Sequence, residues 1–446
     1  MSNSPKIVGR VSPPGRNPTS DDSAHGNVGL REETANPTYG DMAGEWKDIT
    51  LGDFVGLQRG HDLTEPERRP GHVPVIGSAG QNGFHDTALA KGPGIVIGRS
   101  GASFGQVHFC ATDYWPHNTG LYVTDFKGND PRFAYYFLKA LDFDRYNSGS
   151  AQPSLNRNFI YPIPICVPEP DEQKSIAHIL GTLDDKIEFN RRMNATLEAM
   201  ARALFQNWFV DFDPVRAKLD GRKPAGLDAA TAALFPAHFQ DSTLGHIPQG
   251  WEVRSLDQIA HFLNGLALQK YPPSDGETLP VIKIAQLRKG DSAGADRCNT
   301  ELAPQYIVED GDVLFSWSGS LEVELWCGGQ GALNQHLFKV TSPAFPKWFY
   351  YLWTLYHLDE FRLIAAGKAT TMGHIQRGHL TAAKALVPLP DLLKAMTHIM
   401  APLIDQIIAN RTQSSTLATL RDALLPKLLS GEVSAVKATS EMETVT

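Results

Sequence analysis

Leucines recur every seven residues in two stretches of the chain, and each series carries one asparagine at the same step. The first series is Leu183, Asn190, Leu197 and Leu204, and the second is Leu403, Asn410, Leu417 and Leu424. A seven-residue apolar period is typical of helices that pair along a common seam. The pattern therefore predicts two long helices, each of about 26 residues and about 39 Å in length.

The two asparagines admit two interpretations. In a seam between paired helices, a lone buried amide fixes register and partner, because a slipped alignment would leave it unpaired. Alternatively, Asn190 and Asn410 both lie at an exposed turn. Their identical step in the two series favours the first interpretation. Upstream, Asp171 and Asp391 are expected to cap short helices, and Gly181 and Pro402 predict a break before each long helix.

Short apolar runs bounded by glycine and proline predict buried strands upstream of each helix. Residues 95–97 and 313–315 are such runs, and each is followed closely by a Ser-Gly pair. The aromatic segments FAYYFLKAL and WFYYLWTLY are typical of short helices packed on a core. We therefore expect two α+β units, each with a small sheet or partial barrel and a few helices alongside.

The two halves of the chain repeat one another. Leu155, Arg157 and Ile160 recur as Ile375, Arg377 and Leu380, an offset of 220 that continues into the helices. Trp46, Leu51 and Gly60 return as Trp251, Leu256 and Gly265, an offset of 205. Repeats this long indicate duplicated domains, and differences between the copies predict different specificities.

The repeat and the composition divide the chain into seven segments. Both ends are rich in small and polar residues and carry little to bury, so we expect them to be disordered. The predicted segments are a disordered start (1–43), a first globular domain (44–170), a central helical spacer (171–210), a linker (211–250), a second globular domain (251–390), a distal helical spacer (391–431) and a disordered tail (432–446).

Charge and cysteine content exclude several classes of protein. The net charge is −8, and residues 46–170 carry 11 basic and 12 acidic side chains, against 12 and 14 in residues 251–390. This balance argues against autonomous DNA binding, since phosphate contacts need a basic excess. Four cysteines without a CxxC pair indicate neither a zinc site nor a disulfide framework, and Cys110 and Cys327 are interpreted as core side chains. No apolar leader or membrane span is evident, so a cytoplasmic location is expected.

Catalytic motifs are also missing. The chain has no (Asn/Asp)-Pro-Pro-(Tyr/Phe) methyltransferase motif, and residues 98–101 lack the GK(S/T) of a phosphate-binding loop. The Glu172-Gln173-Lys174 triplet is interpreted as a helix start, not as part of a nuclease site. We therefore expect no catalytic residues, no metal site and no cofactor bound by this chain.

The chain resembles the specificity subunits of type I restriction-modification systems over residues 45–433. The segment from Trp208 to Trp251, WFVDFDPVRAKLDGRKPAGLDAATAALFPAHFQDSTLGHIPQGW, carries most of the resemblance, with GRSGASFG, VPEPDEQKSIAHILGTLDDKIEFN and LLPKLLSGEV in support. The resemblance implies two target recognition domains, each reading one half of a split, asymmetric DNA sequence. It also implies that two long helices pair as an antiparallel coiled coil with pseudo-twofold symmetry and set the half-site spacing.

The resemblance implies partners as well. Family members bind double-stranded DNA and dock two modification subunits, which carry S-adenosylmethionine and methylate adenine. Restriction subunits that use ATP and magnesium join the complex. The alternative from another class is a non-catalytic protein scaffold with two similar partner-binding domains, which the near-neutral charge of both domains would suit.

Side chains able to read base edges or hold phosphates occur in the Gly-rich turns of both domains. For each one, a solvated turn residue is the competing interpretation. The candidates in the first domain are Gln81, Asn82, Lys91, Arg99, Ser100, Ser103, Ser150, Gln152 and Arg157. Those in the second are Lys283, Gln286, Arg288, Lys289, Trp317, Ser318, Lys368, Thr370 and Arg377.

Comparison of the repeats separates two kinds of candidate. Positions that differ between the copies, such as Arg99 against Trp317, are better candidates for specificity than positions that match. Arg157 and Arg377 match, so phosphate anchoring or a structural role is favoured for them over base reading.

Overall fold

The structure, a computed structural model, describes residues 46–148, 153–273, 276–367 and 373–435. Within this range the chain forms two compact units. The first unit comprises residues 46–184 and 420–435, and the second comprises residues 185–419. The predicted N-terminal segment, 1–43, lies outside the described residues, as do residues 436–446 of the predicted tail.

The first unit is built from short strands and three short helices that precede a long one. Its strands are β1 (Trp46–Thr50), β2 (Gly56–Arg59), β3 (Val73–Gly77), β4 (Gly80–His85), β5 (Gly94–Gly98), β6 (Val107–Cys110), β7 (Trp115–Pro116), β8 (Gly120–Asp125) and β9 (Pro164–Pro168). Its helices are α1 (Leu51–Phe54), α2 (Pro131–Ala140), α3 (Arg157–Ile160) and the start of α4 (Pro170–Phe205).

The second unit repeats this plan after an additional folded segment. That segment, predicted as a linker, holds α5 (Asp213–Leu219), α6 (Ala229–Leu234), β10 (Phe239–Ser242) and β11 (Gly245–Pro248). The strands that follow are β12 (Glu252–Ser255), β13 (His261–Asn264), β14 (Thr278–Ile282), β15 (Arg297–Asn299), β16 (Ile307–Val308), β17 (Val313–Ser316), β18 (Val323–Leu325), β19 (Gly331–Leu333), β20 (Leu337–Thr341) and β21 (Lys384–Val387). The helices are α7 (Leu256–Ile259), α8 (Ile284–Lys289), α9 (Lys347–Tyr356), α10 (Leu358–Ala366), α11 (Arg377–Ala382) and α12 (Pro390–Leu429), whose last turns belong to the first unit.

The sheets of the two units have the same topology. The order β2-β8-β5-β6 in the first unit corresponds to β13-β20-β17-β18 in the second, and all neighbours are antiparallel. A second sheet, β4-β3-β7, corresponds to β15-β14-β19, with β16 added at the edge. In both units this sheet contains one parallel pair, β3 with β7 and β14 with β19. The predicted α+β repeat is therefore confirmed.

The predicted strands and aromatic helices form the cores. The apolar runs lie in β5 and β17 and are completely or almost completely buried. The aromatic segments form α2 and α9, whose Phe133 and Phe349 are fully buried. Cys110 and Cys327 are buried as expected, and burial raises the pKa of the Cys110 thiol to about 12.

The predicted helix breaks are wrong, because α4 runs without interruption through Gly181 and α12 runs through Pro402. Close packing favours glycine at position 181, since a Cβ there would lie 2.7 Å from Nε of Arg132. Nη2 of Arg132 donates to the Gly181 carbonyl at 3.1 Å. The helices are therefore longer than predicted, at 36 and 40 residues. Gly431 ends α12 in the left-handed conformation, with φ of 74°.

The long helices pair antiparallel within the second unit through a buried polar seam. Asn410 donates from Nδ2 to Oδ1 of Asn194 at 2.9 Å, and Asn194 donates to the Ile407 carbonyl at 3.2 Å. Asn190 donates to Oε1 of Gln413 at 2.8 Å. Both predicted asparagines are buried inside helices, so the exposed-turn interpretation is wrong. Their role in register stays a prediction.

Helix α12 is also long and apolar enough, by composition alone, to cross a membrane, with a mean hydropathy of 1.2 over its best window. In the second unit its apolar face packs in the core through Leu392, Met396, Met400, Ile404 and Ile407, which are all buried. The same helix carries the polar seam. This distribution is that of a core helix paired with a neighbour.

Beside the seam, Arg411 is held by two carboxylates. Its Nη2 lies 2.9 Å from Oε1 of Glu198, and its Nη1 lies 3.1 Å from Oε2 of Glu324. Nη1 also donates to the Leu325 carbonyl at 3.1 Å. Desolvation raises the pKa of Glu324, and Arg411 opposes this shift. The arginine thus joins α12 to α4 and to β18 by neutralising two carboxylates.

Gly60 and Gly265 occupy equivalent positions where the backbone approaches another strand end. A Cβ on Gly60 would lie 2.2 Å from the His117 carbonyl oxygen, and one on Gly265 would lie 2.2 Å from that of Asn334. The obstructing atoms are backbone, which cannot rotate away. The matched glycines are therefore required by space.

We predict that Gly265→Ala lowers the free energy of unfolding by about 1–3 kcal/mol, because the added methyl group forces the two backbone segments apart. Gly378→Ala is the matched control, since a Cβ there meets nothing within 4 Å. Calorimetric unfolding of the purified chain measures both. Equal melting temperatures for the two variants would contradict the argument.

We predict that Arg411→Met destabilises the protein by about 2 kcal/mol at pH 8 and by less near pH 5. Without the arginine the folded-state pKa of Glu324 rises further above its usual value, so the folded variant takes up a proton as the pH falls. Protonation removes the unpaired charge, and the deficit relative to wild type shrinks.

Urea unfolding at the two pH values measures the effect of Arg411→Met. The control is Arg254→Met, which removes an exposed arginine paired with Glu252 at 2.8 Å. A deficit for Arg411→Met that is the same at both pH values would show that desolvation of Glu324 is not its cause.

Candidate nucleic-acid interface

A cleft of about 610 Å³ opens at one end of the β2-β8-β5-β6 sheet in the first unit. Three backbone segments contribute most of its lining. They are the end of β2 with the residues that follow it, the residue after β5, and the segment that leads into α3. Its lining residues are Gln58, Arg59, Gly60, His61, Asp62, Arg99, Leu121, Ser148, Ser154, Leu155, Asn156, Arg157 and Asn158. The cleft is therefore rich in hydrogen-bonding groups and contains three guanidinium groups.

Backbone hydrogen bonds fix the position of Arg99. Its amide donates to the Thr119 carbonyl at 2.9 Å, and its carbonyl accepts from the Leu155 amide at 2.8 Å. The neighbouring Ser100 forms an antiparallel bridge with Ser154. Because β8 and the loop before α3 flank it on both sides, Arg99 projects from a rigid frame.

The second unit has the same backbone arrangement with different side chains. The Trp317 amide donates to the His336 carbonyl at 3.3 Å, and its carbonyl accepts from the Ile375 amide at 2.9 Å. Ser318 bridges His374, as Ser100 bridges Ser154. Trp317 therefore occupies the position of Arg99.

The two matched arginines, Arg157 and Arg377, form hydrogen bonds within their own units. Arg157 donates from Nη1 to the Leu57 carbonyl at 2.9 Å, and Arg377 donates from Nη2 to the Phe262 carbonyl at 3.3 Å. Leu57 and Phe262 are themselves equivalent positions of β2 and β13. The Arg377 guanidinium also lies 5.6 Å from the centre of the Phe338 ring. Each arginine therefore joins a strand to the first residue of a short helix, α3 or α11.

The other described candidates of the first unit do not line this cleft. Gln81 and Asn82 are exposed in the β3–β4 hairpin, where Arg68 donates to the Asn82 carbonyl at 2.6 Å. Lys91 is paired with Asp113 at 2.8 Å, and this contact lowers the pKa of Asp113. Ser103 closes the 3-10 turn after Arg99. Ser150 and Gln152 lie outside the described residues.

Three basic candidates of the second unit, Lys283, Arg288 and Lys289, lie next to carboxylates. Lys283 pairs with Asp296, which lowers the pKa of that carboxyl. Lys289 lies 3.0 Å from Asp291. Arg288 approaches Glu322 at 4.0 Å. These pairings leave the surface near α8 without a net basic patch from its candidate residues.

Two polar candidates of the second unit are buried. The Gln286 side chain accepts from the Lys283 amide at 3.3 Å and caps α8. Ser318 is bonded to Nδ1 of His336 at 2.9 Å. Both serve internal hydrogen bonds in this structure. Lys368 and Thr370 lie outside the described residues.

Sequence reasoning missed Arg59, the last residue of β2 and an exposed part of the cleft. It lies on a strand and not in a Gly-rich turn, so the search for turns passed over it. The signal that could have found it is the repeat itself, since Gly60 and Gly265 match while Arg59 and Asn264 differ.

The groups in the cleft decide what it can bind. Among the described residues, no group of three or more His, Cys, Asp and Glu side chains could hold a metal ion. The cleft can supply hydrogen-bond donors, positive charge and amide groups. Such groups suit recognition of a nucleic acid.

Comparison with known proteins identifies the family. The sequence profile described as "Type I restriction modification DNA specificity domain" matches residues 43–199 and 248–418, one copy in each half of the chain. The chain therefore belongs to the family of type I restriction-modification DNA specificity subunits. Subunits of this family recognise DNA sequence and are not themselves catalytic.

Individual relatives agree with this assignment. The chain is 27% identical to the type I restriction enzyme MjaIX specificity subunit of Methanocaldococcus jannaschii over 314 residues, 68% of each protein. It is 24% identical to the HindI specificity subunit of Haemophilus influenzae over 362 residues, covering 68% of this chain and 77% of that one.

A solved structure shares the fold. The S subunit of a type I restriction-modification system from M. genitalium superposes with a TM-score of 0.55. The alignment covers 87% of this chain and 97% of that one at 16% sequence identity. The predicted two-domain architecture is thus confirmed at the level of the fold.

We predict that Arg157→Ala and Arg377→Ala each lower the free energy of unfolding by about 1 kcal/mol, because each removes a side-chain hydrogen bond to a strand carbonyl. Neither substitution is expected to change the DNA sequence preferred by the assembled complex. Denaturant unfolding and target mapping measure the two effects separately. A changed target sequence in either variant would assign these arginines to base reading.

Proposed function

We propose that this subunit recognises a split, asymmetric double-stranded DNA sequence, with one half read by each unit and the long helices setting the spacing between the halves. It directs adenine methylation and restriction by partner subunits. The observation that carries this proposal is the repeated framework with divergent side chains. Equivalent backbone positions hold Arg59 and Arg99 in one unit and Asn264 and Trp317 in the other.

The framework residues support two reading units of one kind. The matched pairs Gly60/Gly265 and Arg157/Arg377 hold the same backbone contacts in both units. A shared framework presents side chains in the same geometry, so different side chains at one position select different bases. Two such units with different surfaces fit an asymmetric target.

Partners are part of the proposal because the chain is acidic overall. With a net charge of −8, this subunit gains little non-specific affinity from phosphates. We assign that contribution to two modification subunits, which also bind S-adenosylmethionine and methylate adenine. Restriction subunits would add ATP- and magnesium-dependent cleavage. We place the complex in the cytoplasm.

We predict that replacing residues 46–170 by the equivalent segment of another family member changes one half of the target and leaves the other half and the spacing unchanged. The experiment co-expresses each chain with the modification subunit and maps methylated adenines on genomic DNA by single-molecule sequencing. The wild-type complex should produce a split motif.

The reciprocal exchange of residues 251–390 is the matched control, and it should change the other half only. A change in both halves after either exchange would contradict modular reading. A stable complex without any sequence-dependent methylation would instead favour a protein scaffold.

A further inference from the structure

Arg59 and Arg99 emerge on the same face of one sheet. Arg59 is paired in register with Leu121 of β8, and Ile97 of β5 is paired with Leu121 from the other side. Alternate residues of a strand share a face, so Arg99 follows the direction of Ile97. Both guanidinium groups therefore flank β8 at the same end and line the same cleft.

Neither guanidinium group has a hydrogen bond or an ion pair within the part of the chain that the structure describes. The third one, of Arg157, is bonded to the Leu57 carbonyl. Asp62 is the carboxylate of this cleft; it accepts a hydrogen bond from the Asn118 side chain and forms no ion pair with Arg59 or Arg99 among the described residues. The donors of both guanidinium groups are therefore available to an acceptor-rich ligand in the cleft.

The second unit changes both positions together. Asn264 stands in the position of Arg59, and Trp317 stands in that of Arg99. There the two side chains bind one another, since Nε1 of Trp317 donates to Oδ1 of Asn264 at 2.9 Å. Nε1 also donates to the Gln335 carbonyl at 3.2 Å. The same pair of positions is therefore open and cationic in one unit, and neutral and internally bonded in the other.

We propose that Arg59 and Arg99 bind a guanine base in the half-site read by the first unit, and that the second unit reads no guanine through the equivalent positions. This inference rests on the proposed function. A guanidinium group presents paired donors that match the O6 and N7 acceptors of guanine in the major groove.

A phosphate would offer similar acceptors, but the comparison of the units favours the base. Phosphates are the same in every sequence, so residues that anchor them serve both half-sites equally. Arg59 and Arg99 differ between the units, whereas Arg157 and Arg377 match. Divergence at a conserved place in the framework is the property of a side chain that reads sequence.

The test uses the full complex with modification subunits, carrying wild type, Arg59→Gln, Arg99→Gln or Arg99→Lys. Methylated adenines are mapped genome-wide, and binding to target duplexes is measured at several salt concentrations. Arg69→Gln is the matched control, because Arg69 lies in the same unit outside the cleft and pairs with Asp86 at 2.6 Å. Thermal unfolding verifies that each variant is folded.

The expected wild-type motif has a guanine in the half-site of the first unit. The glutamine variants should lose the preference for that guanine by about 10- to 100-fold and leave the other half-site unchanged. Arg99→Lys keeps the charge but not the planar fork, so the preference should fall while the salt dependence stays the same. Arg69→Gln should preserve the motif.

Two results would overturn guanine reading. One is a first half-site that lacks an invariant guanine. The other is equal weakening on all duplexes with a salt slope reduced by about 1, which identifies a phosphate anchor. Both results leave a split wild-type motif intact, so they are distinct from failure of the proposed function, in which the wild-type complex shows no split motif.

Discussion

Each unit depends on one antiparallel strand pair that joins the first and last strands of its repeated part. In the first unit β1 pairs with β9 from Trp46 opposite Pro168, and α4 begins two residues later at Pro170. In the second unit β12 pairs with β21, and α12 begins at Pro390. This pairing brings the start of the unit next to the first turn of a long helix. The cost of closing so long a loop is offset by the core enclosed within it.

This closure separates the part of each unit that positions the long helix from the loops at the ends of the sheets. The strand pair and the first helical turn fix where the helix begins, whereas the loops between them lie at the ends of the sheets. Changes in those loops need not move the helix. A protein that reads different sequences with one architecture requires this separation, and Gly60 and Gly265 preserve it by allowing close backbone contact.

The paired helices add a second constraint on the structure, namely that their buried amide groups must be hydrogen-bonded. The Asn194–Asn410 hydrogen bond lies in a buried seam, where an unpaired amide would cost more free energy than an apolar contact would gain. The prediction that these amide groups fix the register rests on this cost. The seven-residue pattern predicted Asn190 and Asn410 but not Asn194, because Asn194 lies outside the leucine series and is recognised only from its partner on the other helix.

The sequence predicted which helices and strands exist better than it predicted the residues where they begin and end. Periodicity and the repeat found the helices, the buried strands and their equivalence, since these follow from burial of apolar side chains. The glycine at position 181 led to the wrong prediction of a helix break. A glycine is needed there because Arg132 approaches the helix closely, which is a tertiary contact that the local sequence does not reveal. Gln286 and Ser318 have the polarity of surface residues, yet they face internal partners. Polarity alone does not give the direction of a side chain.

The cleft shows how side chains can diverge while the fold is retained. The backbone bonds of Arg99 are reproduced at Trp317, so the framework does not depend on the side chain there. Because the Arg59 and Arg99 side chains make no hydrogen bond or ion pair among the described residues, we expect their replacement to remove little stability. In the second unit the Trp317–Asn264 hydrogen bond joins the equivalent positions and would be lost if either residue were replaced by one that cannot form it. A hydrogen bond therefore couples substitutions at these two positions in the second unit, whereas no hydrogen bond among the described residues joins them in the first.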